Sequence, residues 1–346
     1  MEKIILHILA MPTYSGAENV VCQIMDMFSE DKEIKMIYCS PDGPIRDVLE
    51  EKKLAFEPMK KLSVSELRRV IKKVHPSFLH AHDVRASMVA AVCSGRIPLI
   101  SHMHNNWENL RKISVKSVLY MFPAIKASSI IWVSKSAYEQ YYFKQWVKKK
   151  SVVLSNIINV EKLRNDIVCS EEDKKYDVVY VGRLTYQKNP QRLIAVIEKV
   201  VLKVRDLKVG IIGDGDLTED VNALIKEKKL DKNIELLGYI NKPLSIVNNA
   251  KVFLMTSRWE GTPMCVLEAL AIGIPVVSTP VDGMVELIEN GENGYMSDDD
   301  ERLAHIIIDI MSDDELRKKM SDAAKVKSEN YNSITLYKKK LDKIYG

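Results

Sequence analysis

Two glutamates, Glu260 and Glu268, bracket the stretch Glu260-Gly261-Thr262-Pro263-Met264-Cys265-Val266-Leu267-Glu268, and a helix start falls between them. Thr262 suits an N-cap and Pro263 the first helical position. Residues 264–272 read as a short apolar helix, which Gly273 ends and Pro275 keeps from resuming. The preceding run, residues 250–255, is strand-like. A helix that opens at the carboxyl end of a strand presents unpaired N–H groups and a positive dipole end, which is chemistry that holds a phosphate. Glu268 stands about 7 Å further along the helix axis at 1.5 Å per residue. One carboxylate could then meet each end of a phosphorylated ligand such as a nucleotide-sugar, with its sugar, diphosphate and ribose. The bland alternative is a loop carboxylate and a solvated helix residue, since this spacing is common by itself.

Other residues fit the same chemistry. Gly182-Arg183-Leu184 follows a predicted strand at 177–181, and Lys188-Asn189-Pro190 opens the next helix. Two cations at a strand's carboxyl end could neutralise a diphosphate leaving group. Gly213-Asp214-Gly215-Asp216 allows two readings: a metal-holding pair of aspartates, or a glycine turn that lets backbone approach a ligand. The turn is preferred, because nothing adjacent in sequence completes a metal shell. Asp298-Asp299-Asp300 reads as a solvated helix start. His80 with His82, and His102 with His104, each end a strand. Alternate strand residues share a face, so either pair could clamp a metal, although a histidine with a hydrogen-bond partner is the commoner case. No GxGxxG motif is present, which disfavours a dinucleotide dehydrogenase.

The stretch Glu260 to Glu268, with Gly261, Pro263 and the following Ala269 to Thr279, resembles the signature of retaining glycosyltransferases of the GT-B fold. The resemblance is to glycosyltransferase family four, which builds bacterial polysaccharides, lipopolysaccharide cores and glycolipids. It implies that Arg183 and Lys188 bind the donor diphosphate, Glu260 the donor-sugar hydroxyls and Glu268 the ribose hydroxyls. Gly182, Gly213, Gly215, Gly261, Thr262 and Pro263 would line the donor site. The loop Ser15-Gly16-Ala17-Glu18 would bring Gly16 to the donor phosphates, with Ser15 where the family has a further glycine. His102 or His104, with His104 preferred, would touch the donor sugar near the reaction centre. Ser134 would line the cleft or simply cap the next helix.

The resemblance further implies a metal-independent hexosyltransferase with no cofactor and no residue acting as general base, because the leaving phosphate takes the acceptor's proton. The donor would be a nucleotide-sugar, a UDP-sugar carrying a hexose or N-acetylhexosamine. The acceptor would be a sugar hydroxyl of a growing, polyprenyl-linked surface glycan such as capsule or O-antigen. Alternatives of other classes are a nucleotide-sugar epimerase of the same fold and a non-catalytic sugar-nucleotide-binding subunit.

The elements that must position these residues alternate strand and helix throughout, which predicts an α/β protein with parallel sheets. The expected fold class is GT-B, two Rossmann-like doubly wound domains facing a central cleft. The expected domains are 1–160, for the acceptor, and 161–330, for the donor, with a final helix at about 331–346 crossing back to the first. Charged, aperiodic residues 161–176 read as the linker.

The 346 residues are 46% hydrophobic and 28% charged, a globular balance with room for two domains. The five cysteines (Cys22, Cys39, Cys93, Cys169, Cys265) are scattered and read as reduced thiols. No signal peptide or spanning helix is expected, since the most apolar stretch, 118–125, is short and holds Pro123.

The net charge of +4 is uneven: up to Val160 there are 23 Lys and Arg against 15 Asp and Glu, and beyond it 28 against 32. A basic first half points to an anionic partner. No nucleic-acid motif appears, so an anionic membrane surface fits better than nucleic acid. Aromatics interleave with lysines over 107–126 and over 138–150, as suits a membrane interface. The expected location is cytoplasmic, peripheral on the inner face of the cell membrane.

Overall fold

The computed structural model describes residues 2–165, 167 and 174–346; Cys169 and part of the predicted linker lie outside the described residues. The chain forms two compact units, Met1–Ile157 with Ser333–Gly346, and Ile158–Asn332. The first unit holds strands β1 (Lys3–Ile8), β2 (Ile34–Cys39), β3 (Phe78–His82), β4 (Leu99–Met103), β5 (Ser129–Trp132) and β6 (Ser151–Val153). They form a parallel sheet in the order β2-β1-β3-β4-β5-β6. The second holds β7 (Val178–Val181), β8 (Val209–Ile212), β9 (Ile234–Gly238), β10 (Val252–Met255), β11 (Val276–Ser278) and β12 (Gly294–Met296). These run parallel in the order β12-β11-β10-β7-β8-β9.

Strands covered by helices on both faces read as unbroken apolar runs. Residues 252–255, Val-Phe-Leu-Met, are fully buried, and so is Val209–Ile212 apart from traces. The helices supply the matching faces. Pro190–Val201 buries Leu193, Ile194, Val196, Ile197 and Val200 against the second sheet. It starts from Asn189, held left-handed at φ 54°, followed by proline in the first turn, a conformation that asparagine tolerates better than most residues. In the second unit the strand order reverses beside β7, between β8 on one flank and β10 on the other. Chain connections leave a crevice at the carboxyl ends of strands at such a switch point.

The last helix, Ile334–Tyr345, packs within the first unit, where Tyr345 is buried with its hydroxyl 2.9 Å from His80 Nδ1. Lys338 pairs with Asp31 at 3.0 Å and lies over the ring of Phe28. Where a linker is expected from composition, a helix forms at Val160–Asn165, and the units divide between Ile157 and Ile158.

Other elements escape the sequence reading. Helix Asp83–Cys93 lacks a one-sided pattern because small residues let it bury much of its girth against the sheet. Strand β12 is only three residues long, and its Gly294 is required because a Cβ there would lie 2.1 Å from the Val276 carbonyl oxygen. No helix among the described residues is long and apolar enough to cross a membrane.

Candidate active site

The loops that follow β7 and β10 meet at the switch point of the second sheet. Arg258 N donates to the Gln187 carbonyl at 2.8 Å, and Gln187 Nε2 returns a bond to the Trp259 carbonyl at 3.0 Å. Thr256 Oγ1 donates to the Asn189 carbonyl at 3.1 Å, and the Arg258 guanidinium reaches Asn189 Oδ1 at 2.9 Å. This lacing brings Lys188 Nζ to 2.7 Å from Glu260 Oε1, with both side chains largely buried. Burial alone would lower the Lys188 ammonium, but Glu260 beside it reverses the effect, so its pKa ends above the ordinary lysine value. Arg183 is exposed at the mouth of the same loop, close enough for its charge to act on Lys188. The pair is neutral as a unit, so Arg183 and the nearby helix end supply the net positive field.

That helix is Met264–Ile272, and Gly273 ends it in the left-handed conformation at φ 84°. The cap lies one residue later than Thr262: Pro263 is the N-cap, with extended φ −73° and ψ 122°, and accepts from Val266 N and Leu267 N. The opening N–H groups of the helix have no intrahelical acceptor. Thr262 is buried just before the cap. Cys265, in the first turn, is pushed up to about 12 by burial. Glu268 is half-buried one turn further on.

Two residues unnoticed in the sequence hold Glu260 in place. Asp282, left-handed at φ 41°, accepts from Glu260 N at 2.8 Å. At Gly283 a Cβ would sit 1.9 Å from the Gly261 carbonyl oxygen. The only sequence signal for this turn was Asp-Gly after a strand. Thr185 Oγ1, Ser257 Oγ and Trp259 Nε1, from the same loops, are buried without a partner, donors of the kind that a ligand would satisfy.

The glycine turn after β8 packs on the loop after β7. A Cβ at Gly213 (φ 132°) would lie 2.0 Å from the Gly182 carbonyl oxygen, and one at Gly215 would lie 2.4 Å from that of Leu184. Leu184 N donates to the Asp214 carbonyl at 3.0 Å. These glycines are therefore needed for loop-on-loop contact within the protein. The Asp214 carboxylate accepts from Thr218 Oγ1 and from Gly215 N, which hold it below the usual carboxylate range. Asp299 caps helix Asp300–Ser312 as expected, and Arg192 pairs with Asp300 at 2.7 Å.

In the first unit Gly16 opens helix Gly16–Met27 and is exposed, with no atom within 4 Å of where a Cβ would stand. Ser134 is buried and caps helix Lys135–Glu139, accepting from Ala137 N at 3.1 Å. His104 belongs to a group of five buried histidines. His7 on β1, His80 and His82 on β3, and His102 on β4 with His104 just beyond it stack on one face of the sheet. His82 Nδ1 lies 2.8 Å from His104 Nε2, His82 Nε2 lies 3.0 Å from His7 Nδ1, and His80 Nε2 lies 3.2 Å from His102 Nδ1. Burial drives all five below the ordinary imidazole range, His7 and His104 to about 3.

Two parallel six-stranded α/β units, one with Arg183, the Lys188–Glu260 pair and a helix N-terminus gathered at its switch point, define the GT-B glycosyltransferase architecture. HepE of Anabaena in complex with UDP and glucose superimposes with a TM-score of 0.85 over 99% of both chains at 18% identity. The family description "Glycosyltransferase Family 4" matches residues 14–162, and "Glycosyl transferases group 1" matches residues 164–327. The chain belongs to the family-four type of GT-B glycosyltransferases.

Among its relatives is the UDP-Gal:α-D-GlcNAc-diphosphoundecaprenol α-1,3-galactosyltransferase of Escherichia coli, 25% identical over 98% of this chain and 95% of that protein. Another is the N-acetylgalactosamine-N,N′-diacetylbacillosaminyl-diphospho-undecaprenol 4-α-N-acetylgalactosaminyltransferase of Campylobacter jejuni, 29% identical over 72% of this chain and 67% of that protein.

Proposed function

We propose that the protein transfers a hexose or N-acetylhexosamine from a UDP-sugar, with retention of configuration, to a sugar hydroxyl of a polyprenyl-diphosphate-linked bacterial glycan. The observation that carries this reading is the Lys188–Glu260 pair at 2.7 Å, set beside Arg183 and a helix N-terminus at a strand switch point. The named substrates of the Escherichia coli and Campylobacter relatives support the donor and acceptor classes.

In this reading the sugar–phosphate C–O bond breaks as the acceptor oxygen attacks the same face of the anomeric carbon. The leaving phosphate oxygen takes the acceptor's proton. Arg183, Lys188 and the N–H groups opening helix Met264–Ile272 stabilise the charge growing on the diphosphate. The free oxygen of Glu260 receives sugar hydroxyls, and Glu268 receives those of the ribose. Neither Mg²⁺ nor Mn²⁺ has a part. Residues 158–332 serve the donor and the first unit the acceptor.

The protein works peripherally at the anionic inner face of the cell membrane. Helix Val115–Lys126 supports this reading: Val115, Val118, Leu119, Phe122 and Ile125 are all exposed, an outward apolar stripe flanked by Lys112, Lys116 and Lys126. The stretch at 138–150 contributes less than its composition suggests. Tyr141 is buried and Lys150 donates to the Ile125 and Ala127 carbonyls at 2.6 and 3.0 Å, while Tyr142, Trp146, Lys148 and Lys149 stay exposed.

The test incubates purified protein with UDP-hexoses and a polyprenyl-diphosphate-linked sugar, then reads the new linkage by NMR. An α-linked product from an α-linked donor is expected. A β-linked product sinks retention, and a donor epimerised without acceptor makes the protein an epimerase.

A further inference from the structure

Five buried histidines gather in the first unit, and their arrangement asks for an occupant. We propose that His82, His102 and His104 form a binding site for a transition-metal dication of the zinc class, at the carboxyl ends of β3 and β4. One ring nitrogen from each of the three lies within 4.8 Å of the other two, and all three side chains are buried. Two ring nitrogens of this trio, His102 Nε2 and His104 Nδ1, are buried with no partner. Buried polar atoms are normally satisfied, and of these two His102 Nε2 is the one that a group between the rings would take up.

The neighbours sort the nitrogens into ligands and supports. His102 Nδ1 is engaged by His80 Nε2 at 3.2 Å, and His80 Nδ1 is held by the Tyr345 hydroxyl at 2.9 Å, so Nε2 is the free ligand atom of His102. His82 Nε2 is engaged by His7 at 3.0 Å, which leaves Nδ1 facing His104 Nε2 at 2.8 Å. Two imidazoles bound tetrahedrally at 2.0–2.1 Å stand about 3.3 Å apart, so a small opening of that contact admits the ion. The Asp83 carboxylate accepts from His104 N at 3.0 Å and fixes the loop that carries the third ring. Metal-binding histidines normally have their second ring nitrogen held by a partner, as His7 holds that of His82 and His80 that of His102.

The alternative trio, His7, His80 and His82, is less suited, because both nitrogens of His80 are already engaged. An all-imidazole donor set selects zinc, cobalt, nickel or copper over magnesium or calcium. Three ligands leave a fourth position for water.

The test titrates the full-length protein, freed of metal by chelation, with CoCl₂ and with ZnCl₂. One Co²⁺ per chain with the intense visible absorption of a tetrahedral site is expected, and Zn²⁺ should displace it and raise the melting temperature. His82→Gln and His102→Gln should lose the cobalt spectrum and the zinc shift, while His75→Gln and His305→Gln keep both. Folded wild-type protein with no cobalt spectrum and no zinc shift would overturn the site and leave neutral imidazoles bonded to one another. Metal binding that survives in folded His82→Gln and His102→Gln would overturn it as well.

Discussion

Lys188 and Glu260 cannot be treated as two independent substrate contacts, because each is the other's counter-ion inside the protein. Removing one partner of a buried pair leaves an uncompensated charge and costs about 3–5 kcal/mol of stability. Lys188→Ala should therefore lower the melting temperature as well as turnover. The double change Lys188→Met with Glu260→Gln should recover much of the stability and none of the activity, read by thermal melts beside donor turnover. Recovery of turnover in the double variant would remove both residues from the chemistry. Arg183 is the cleaner probe, because it is exposed. Arg183→Ala should leave the melting temperature unchanged and cost on the order of 2–4 kcal/mol in kcat/KM. Glu268→Ala should mainly weaken binding of UDP, measured calorimetrically.

At the scale of elements, the proposed donor site is built from loops stacked so closely that glycine is obligatory at several crossings. Gly283 has φ −64°, which any residue adopts, so its requirement is steric: the Gly261 carbonyl occupies the space of a side chain. Gly283→Ala should push the Glu260 loop aside, cost about 1–3 kcal/mol in stability and cut turnover further than that loss explains. Unchanged turnover in this variant would mean that the turn at Asp282 does not position Glu260.

Helix Val115–Lys126 inverts the usual arrangement of a surface helix. Its inner face buries Ser117, Tyr120, Pro123 and Ala124, while large apolar side chains point outward. Insertion of that stripe, with lysines at the lipid headgroups, predicts binding to anionic liposomes that weakens with salt. Co-sedimentation should fall on Leu119→Glu with Phe122→Glu, and fall less on Lys148→Glu with Lys149→Glu. Equal binding to neutral and anionic liposomes would contradict the electrostatic part.

For the molecule as a whole, ionisable groups buried in their neutral forms set an alkaline limit. Burial pushes Cys22, Cys39 and Cys265 from an ordinary value of 9.0 up to about 12. Between these values the unfolded chain has lost the protons that the folded chain keeps, so the folded state binds more protons and stability falls as pH rises. The contribution is complete below pH 9.0 and is lost between 9.0 and about 12, at about 1.4 kcal/mol per pH unit for each thiol. Denaturant melts at pH 8 and pH 10.5 should show this fall, with the buried Cys22 and Cys39 resisting alkylation until the chain unfolds. In the donor reaction, turnover assayed in EDTA should not rise on adding Mg²⁺ or Mn²⁺. A rise would return Asp214 and Asp216 to consideration as metal ligands.

Local chemistry in the sequence determined a good deal by itself. Apolar runs of four to six residues that alternate with amphipathic helices dictate parallel strands covered on both faces, and the strand spans at 78–82 and 276–278 follow from the residues alone. The Gly273 stop and the strand-to-helix turn around Glu260 are equally local, since they depend on φ preference and a missing N–H.

Contacts distant in sequence were decided only by the tertiary structure. That Lys188 meets Glu260 depends on β10 pairing beside β7, which no local pattern encodes. The glycines at 213 and 215 looked like ligand contacts, but chain packing against the loop after β7 already demands them. Histidines from three strands gather because parallel registry sets His7 against His80 and His82 against His102. The outward apolar stripe at 115–125 was only a mixed composition until burial of Tyr120 and Ala124 showed which face the helix keeps inside. Side-chain type and near-neighbour spacing are properties of the chain, whereas which charge is paired, which glycine is crowded and which face is wet are properties of packing.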